Sequence, residues 1–209
     1  MVWSYLLREK RLNIKKQNYL TIWRKIDMKR NNNTRKLIIN ALLLGIGAIL
    51  HQVTPALGIP MQPDFALAML LIVMIVNKGD YKTSLIAGII IGIFTALTTK
   101  FPLGQVPNII DKIATVNIMY VVIAFFNKVY ADKLNSERFR VIIVSFIFAL
   151  GTLISGTTFL LSALIIVGLP VSFTILFSTI VLPTVLINSI AGVILYKIVL
   201  SSLRKIAIS

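Results

Sequence analysis

Cysteine is absent from the 209 residues, and histidine occurs once, at position 51. The first absence excludes disulfides, thiolate metal centres and thiol nucleophiles. The second excludes a multi-histidine metal site and leaves one histidine for any Ser-His-Asp arrangement. No Gly-x-x-x-x-Gly-Lys-Ser/Thr run is present, so the chain does not hydrolyse ATP through a P-loop. No His-Glu-x-x-His motif occurs either. Carboxylates are scarce, seven Asp and Glu against 22 Lys and Arg. A membrane enzyme would have to work with Asp64 and Asp111 alone. These absences lead to an expectation of no catalytic residues, no metal, no cofactor and no enzymatic activity.

Apolar residues, in contrast, are abundant. They make up 57% of the chain, and only 14% of residues are charged. A soluble domain is nearer half apolar and about a quarter charged. A mean hydropathy of +0.88 calls for a solvent other than water. The net charge of +15 raises the prospect of nucleic acid. The basic residues, however, lie between apolar runs rather than among aromatics on one soluble domain. That arrangement is membrane topology and argues against a nucleic-acid partner.

About 20 apolar residues are needed to cross the hydrocarbon of a bilayer. Six candidate spans follow: 36–53, 65–76, 84–99, 109–126, 141–167 and 173–200. The second is short, about 18 Å as a helix at 1.5 Å per residue. The last two exceed the minimum, with Pro183 as the expected kink in span six and Gly156 as a second bend in span five. Every Lys and Arg except Lys100 and Lys112 falls before or at the first residue of span one, in the last turn of span six or after it, or in the loops following spans two and four. Positive residues mark the cytoplasmic side. The expected fold is therefore all-α, a polytopic membrane protein of six transmembrane helices with both termini cytoplasmic. Residues 1–35 form a basic cytoplasmic segment and 36–205 the transmembrane domain. Within the first 27 residues, Trp3, Tyr5, Tyr19 and Trp23 interleave with cations. They read either as a helix lying on anionic lipid or as untranslated sequence upstream of a start at Met28. No secretory signal peptide is evident.

Polar residues concentrate at the outer side. Asp64 follows Pro60 and Pro63 at the mouth of the short second span, as an N-cap, a ligand-binding carboxylate, or both. The segment Lys100-Phe101-Pro102-Leu103-Gly104-Gln105-Val106-Pro107-Asn108 carries two prolines and a glycine and reads as non-helical, folded back against the bundle. Asn108, Asp111, Lys112 and Thr115 fall at i, i+3, i+4 and i+7, one helical face. A charge at such depth costs about 2.5–3.5 kcal/mol on insertion scales, so this face should look into the bundle. It reads as a binding cluster, against the alternative of a capping box with Asn108 at N-cap. Thr98 and Thr99 end span three near the same depth. Asn188, Thr152, Ser155 and Ser162 are polar residues inside spans, and His51 ends span one. The hydroxyl residues read first as helix packing, and His51 reads first as interfacial and second as a site residue. Ala41, Gly45 and Ala48 make a small-residue stripe on span one, suited to bundle packing or to a second membrane subunit.

The sequence resembles the TrpP family of bacterial tryptophan transporters, grouped with the substrate-binding components of energy-coupling factor importers. The resemblance is carried by Ile46-Gly47-Ala48-Ile49-Leu50-His51, by Pro63-Asp64, and above all by Ala96-Leu97-Thr98-Thr99-Lys100-Phe101-Pro102-Leu103-Gly104-Gln105-Val106-Pro107-Asn108-Ile109-Ile110-Asp111-Lys112. Ile154-Ser155-Gly156 and Ile166-Val167-Gly168-Leu169-Pro170 extend it, and it covers Arg35 to Arg204. It implies six helices in the plasma membrane, capture of tryptophan from outside, and ATP hydrolysis by separate ATPase subunits joined through a transmembrane coupling subunit. Such components dock through an Ala-x-x-x-Ala-type pair; Ala41 and Gly45 match it here, the glycine being a departure. The residues suit a zwitterion. Asp64 or Asp111 would meet the ammonium, Lys112 and Asn108 the carboxylate, Gln105 or Thr98 the indole N–H, and Phe101 the ring. The alternative function is a standalone ion-coupled transporter using Asp64 or Asp111. A membrane enzyme or scaffold is a third.

Overall fold

A computed structural model describes residues 33–54, 64–130, 136–169 and 171–208. The two readings of residues 1–27, the outer loop with Pro60 and Pro63, and Pro170 lie outside the described residues. Every regular element described is helical. We number them α1 (Asn33–Val53), α2 (Phe65–Val76), α3 (Tyr81–Leu97), α4 (Gln105–Val129), α5 (Glu137–Ile166) and α6 (173–208). Helix α6 is composite: an α-helical turn Phe173–Leu176, a π-helical turn Phe177–Val181 and a long α-helix Leu182–Ile208. Four helices are long and apolar enough to cross a membrane; α2 and α3 are shorter. The chain is a multi-pass membrane protein.

The short helix α2 matches its expected bounds, and its burial explains its length. Ala66 through Met74 are all buried, six of them at 0% exposure. A helix that is apolar all round belongs inside a protein rather than along its surface. It packs against α3, α4, α5 and α6 and is enclosed by them. The outward faces of those neighbours are the wet-protein rule inverted: Ile93, Val121, Ile142, Ile165 and Ile190 are exposed.

Small residues allow the close approaches. A Cβ at Gly88 would lie 2.5 Å from Val116, and at Gly192 deep against Phe148. Helix association in lipid depends on such packing, since there is no hydrophobic drive between helices there. Gly156 belongs to this class. Helix α5 runs unbroken through it, and a Cβ there would lie 2.8 Å from Val181 of α6. Close packing rather than a bend accounts for it.

Two sequence expectations are corrected at α4. Its helix begins at Gln105, not Ile109, so the second half of the 100–108 segment is helical. Pro107 sits in the first turn, where no N–H donor is needed and its fixed φ suits the helix. Accordingly Asn108 is not the N-cap; Gly104 is, and the Asn108 Nδ2 donates back to the Gly104 carbonyl at 2.8 Å. In α6 the irregularity falls one turn before Pro183, at the π-turn. A proline ring crowds the carbonyl four residues earlier, here Thr179, and a wider turn moves that carbonyl aside. Helix α5 is closed just past its end by Gly168, whose φ of +78° and N–H bond to the Ala163 carbonyl (3.0 Å) terminate it.

Candidate functional site

Asp64 caps α2: its Oδ1 accepts from the Leu67 N–H at 2.8 Å. Its other oxygen, Oδ2, lies 2.7 Å from the Lys112 Nζ. The cap and the charge pair therefore coexist, because a carboxylate has enough lone pairs for both. Lys112 projects from α4 and is 1% exposed, as is Asp111 beside it. Its ammonium also donates to both oxygens of Asp111, at 3.1 and 2.9 Å, and to the Ser155 Oγ at 3.3 Å. Ser155, on α5, donates in turn to Asp111 Oδ1 at 2.6 Å. One lysine thus ties the start of α2 to α4 and α5.

The network continues outward. The Asp64 N–H donates to the Asn188 Oδ1 on α6 at 3.2 Å, and the Asn188 Nδ2 reaches the Thr152 Oγ1 at 3.4 Å. His51 Nδ1 stands 3.4 Å from Asp64 Oδ1. In formal charge, two carboxylates face one ammonium, so the cluster carries one net negative charge. Buried charges persist only when paired and hydrogen-bonded, and these are.

Above the cluster lies a cavity of ≈ 90 Å³. Its polar wall includes the charged groups Asp64, Asp111, Lys112 and Lys100 together with His51, Asn108, Asn188 and the hydroxyls of Thr99, Thr152, Ser155 and Thr184. Its apolar wall includes Phe101 and Phe159, in an edge-to-face pair with centroids 5.3 Å apart. Phe159 packs with Leu160 and Val181, the latter in the π-turn of α6. Phe101 is placed by a tight turn: its N–H donates to the Thr99 Oγ1 at 3.2 Å, and Leu103 adopts a φ of +56°. A branched side chain in that left-handed region is strained, and strain of this kind clusters at binding sites.

Of the residues singled out from sequence, Asp64, Phe101, Asn108, Asp111 and Lys112 line this cavity. Three others do not. The Thr98 hydroxyl bonds back to the Phe94 carbonyl at 2.8 Å and finishes α3, while its neighbour Thr99 faces the cavity. Gln105 is exposed at the first turn of α4. Thr115 is fully buried but lies outside the cavity lining, its hydroxyl without a hydrogen-bond partner among the described residues. The sequence reads Thr152 and Ser155 as packing residues and assigns Asn188 no role, yet all three line the cavity, as does His51 at the end of α1. Their polarity inside apolar spans was the available signal. Phe159 and Val181 carried none, since an apolar residue in a span is unremarkable. Among the described residues no group of three His, Cys, Asp or Glu side chains is placed to hold a metal ion.

A family model described as "Tryptophan transporter TrpP" matches residues 33–204. The chain belongs to the TrpP family. A relative from Clostridium perfringens named "Probable tryptophan transport protein" is 51% identical over 179 residues, covering 85% of this chain and 98% of that one. Relatives of the same name from Clostridium acetobutylicum and Bacillus subtilis are 46% and 39% identical, each covering 82% of this chain and 95% and 94% of their own. No solved structure shows a significant match. The match to this TrpP model takes in α1 to α5, α6 as far as Arg204, and every residue of the charge cluster, and it begins at the first described residue.

Proposed function

We propose that this chain captures tryptophan at its outer face and serves as the substrate-binding subunit of an ATP-driven energy-coupling factor importer. The carrying observation is the pairing of a buried, net-negative charge cluster with a wall of two phenylalanines in one cavity. A free amino acid offers the complement. Its ammonium neutralises the excess carboxylate, its carboxylate meets Lys112 or Lys100, and an indole lies against Phe101 and Phe159. Thr152, Thr184 and Asn188 supply acceptors for the indole N–H. At ≈ 90 Å³ the cavity is below the roughly 300–1,000 Å³ of ligand pockets. Admission of an indole therefore requires movement of the Phe101 turn or the π-turn of α6.

The assignment to an importer with separate ATPases rests on the absence of a P-loop and on α1. A Cβ at Gly45 meets nothing within 4 Å, and Ala41 is exposed on the same helix, leaving the stripe open to a coupling subunit. One observation favours the second reading, a standalone ion-coupled transporter: an intramembrane carboxylate pair sharing one ammonium is an arrangement found on ion pathways.

The test uses the full chain, tagged and expressed in a bacterial host that encodes the importer subunits. Calorimetry in detergent should detect tryptophan binding, and Phe101→Ala and Asp111→Asn should weaken it by about tenfold or more, since each loses a contact worth roughly 1.5–3 kcal/mol. ATPase subunits should copurify with the wild type and be lost with Ala41→Leu or Gly45→Leu, while tryptophan binding survives. Uptake by proteoliposomes containing this chain alone would instead establish the ion-coupled reading. Unchanged affinity in both cavity variants would remove the site assignment.

A further inference from the structure

At the opposite end of the bundle a second cavity, of ≈ 310 Å³, opens between the start of α5 and the end of α6. Arg140 and Glu137 line it from α5, and Lys197, Ser201, Lys205 and the buried Tyr196 line it from α6. We propose that this groove binds the phosphate of an anionic glycerophospholipid headgroup.

Lys197, Ser201 and Lys205 stand at i, i+4 and i+8, which places two ammonium groups and a hydroxyl in one row along a helix. Arg140 approaches that row from the neighbouring helix, and its planar fork suits phosphate oxygens. Three cations meet one carboxylate, and no ion pair ties Glu137 to any of them among the described residues. The groove therefore carries two net positive charges. Glu137 sits in the first turn of α5, where a helix N-terminus stabilises it, and offers an acceptor to a headgroup hydroxyl. Ile142, Ile194 and Ile198, near the lining residues on the same helices, are all more than half exposed and would lie along acyl chains.

Orientation signals alone do not require this. Cations that mark a cytoplasmic side work equally well on a solvated turn or an exposed helix start, where Lys78 and Lys82 stand. Here they converge from two helices on one concavity, the arrangement by which basic pockets between transmembrane helices hold anionic headgroups.

The experiment is native mass spectrometry and thermal unfolding of the full chain in detergent, with added phosphatidylglycerol, phosphatidylcholine or inorganic phosphate. Phosphatidylglycerol adducts should persist and raise the melting temperature, and phosphatidylcholine should do neither. The triple variant Arg140→Gln/Lys197→Gln/Lys205→Gln should lose affinity by about tenfold or more. The charge-matched variant Lys78→Gln/Lys82→Gln/Lys128→Gln should retain it. A charge-preserving variant, Arg140→Lys/Lys197→Arg/Lys205→Arg, should also bind, which separates loss of charge from misfolding. Equal retention, or equal loss, in the two glutamine variants would overturn the proposal. Stabilisation by inorganic phosphate alone, abolished in the groove variant, would keep the phosphate site and refute the lipid as its source.

Discussion

Replacing Lys112 by Met tests whether one side chain holds the outer half of the bundle together. Methionine keeps most of the length and apolar stem but removes the ammonium that meets Asp64 at 2.7 Å and Asp111 at 2.9 Å. Two carboxylates then stand without a cation, one of them 1% exposed. Removing one partner of a buried pair costs about 3–5 kcal/mol, because the remaining charge stays desolvated. For a chain of this size each kcal/mol lowers the melting temperature by about 2–4 °C, so the variant should melt on the order of 10 °C below wild type. Far-UV circular dichroism in detergent reads this directly. The decisive comparison is Asp64→Asn/Asp111→Asn/Lys112→Met. Asparagine caps a helix about as well as aspartate, so α2 keeps its cap. It also still accepts from Ser155. With no charge left in the cluster, most of the lost stability should return, as it does when buried ion pairs are replaced whole. If the triple variant melts no higher than Lys112→Met, unpaired charge is not the cost, and the lysine acts through packing instead.

Three further outcomes follow. If both termini face the cytoplasm, Gln105→Cys in this otherwise cysteine-free chain reacts with an impermeant maleimide on intact cells and Lys82→Cys does not; the reverse pattern inverts the topology. Gly156→Val should destabilise by about 1–3 kcal/mol through its clash with Val181 and weaken tryptophan binding, whereas Gly45→Ala, which meets nothing, should change neither; equal melting temperatures for the two would contradict the close α5–α6 packing. Thr115→Val removes a buried hydroxyl that has no partner among the described residues, so stability should hold or rise by up to about 1 kcal/mol and tryptophan affinity should stay unchanged; a marked loss of affinity would put Thr115 in the site.

Helix content, the membrane setting and the short second helix were legible in the sequence because they depend on local chemistry. An apolar run of fixed length has few alternatives in lipid, where every backbone group must bond within its own segment. The charge cluster was legible in part for the same reason. A charge in a span is costly, so Asp111 and Lys112 declared themselves before any fold was known. The start of α4 misled, because Pro107 signals a break in a helix interior and a beginning in a first turn, and only the surrounding chain distinguishes the two. What only the tertiary structure decided was partnership. Asp64 and Lys112 are 48 positions apart, and Ser155 lies 43 beyond Lys112. Helical periodicity carries no information about which faces of different helices meet. That choice is made by packing, where Gly88, Gly156 and Gly192 let particular helices approach closely enough for distant polar groups to share one cavity.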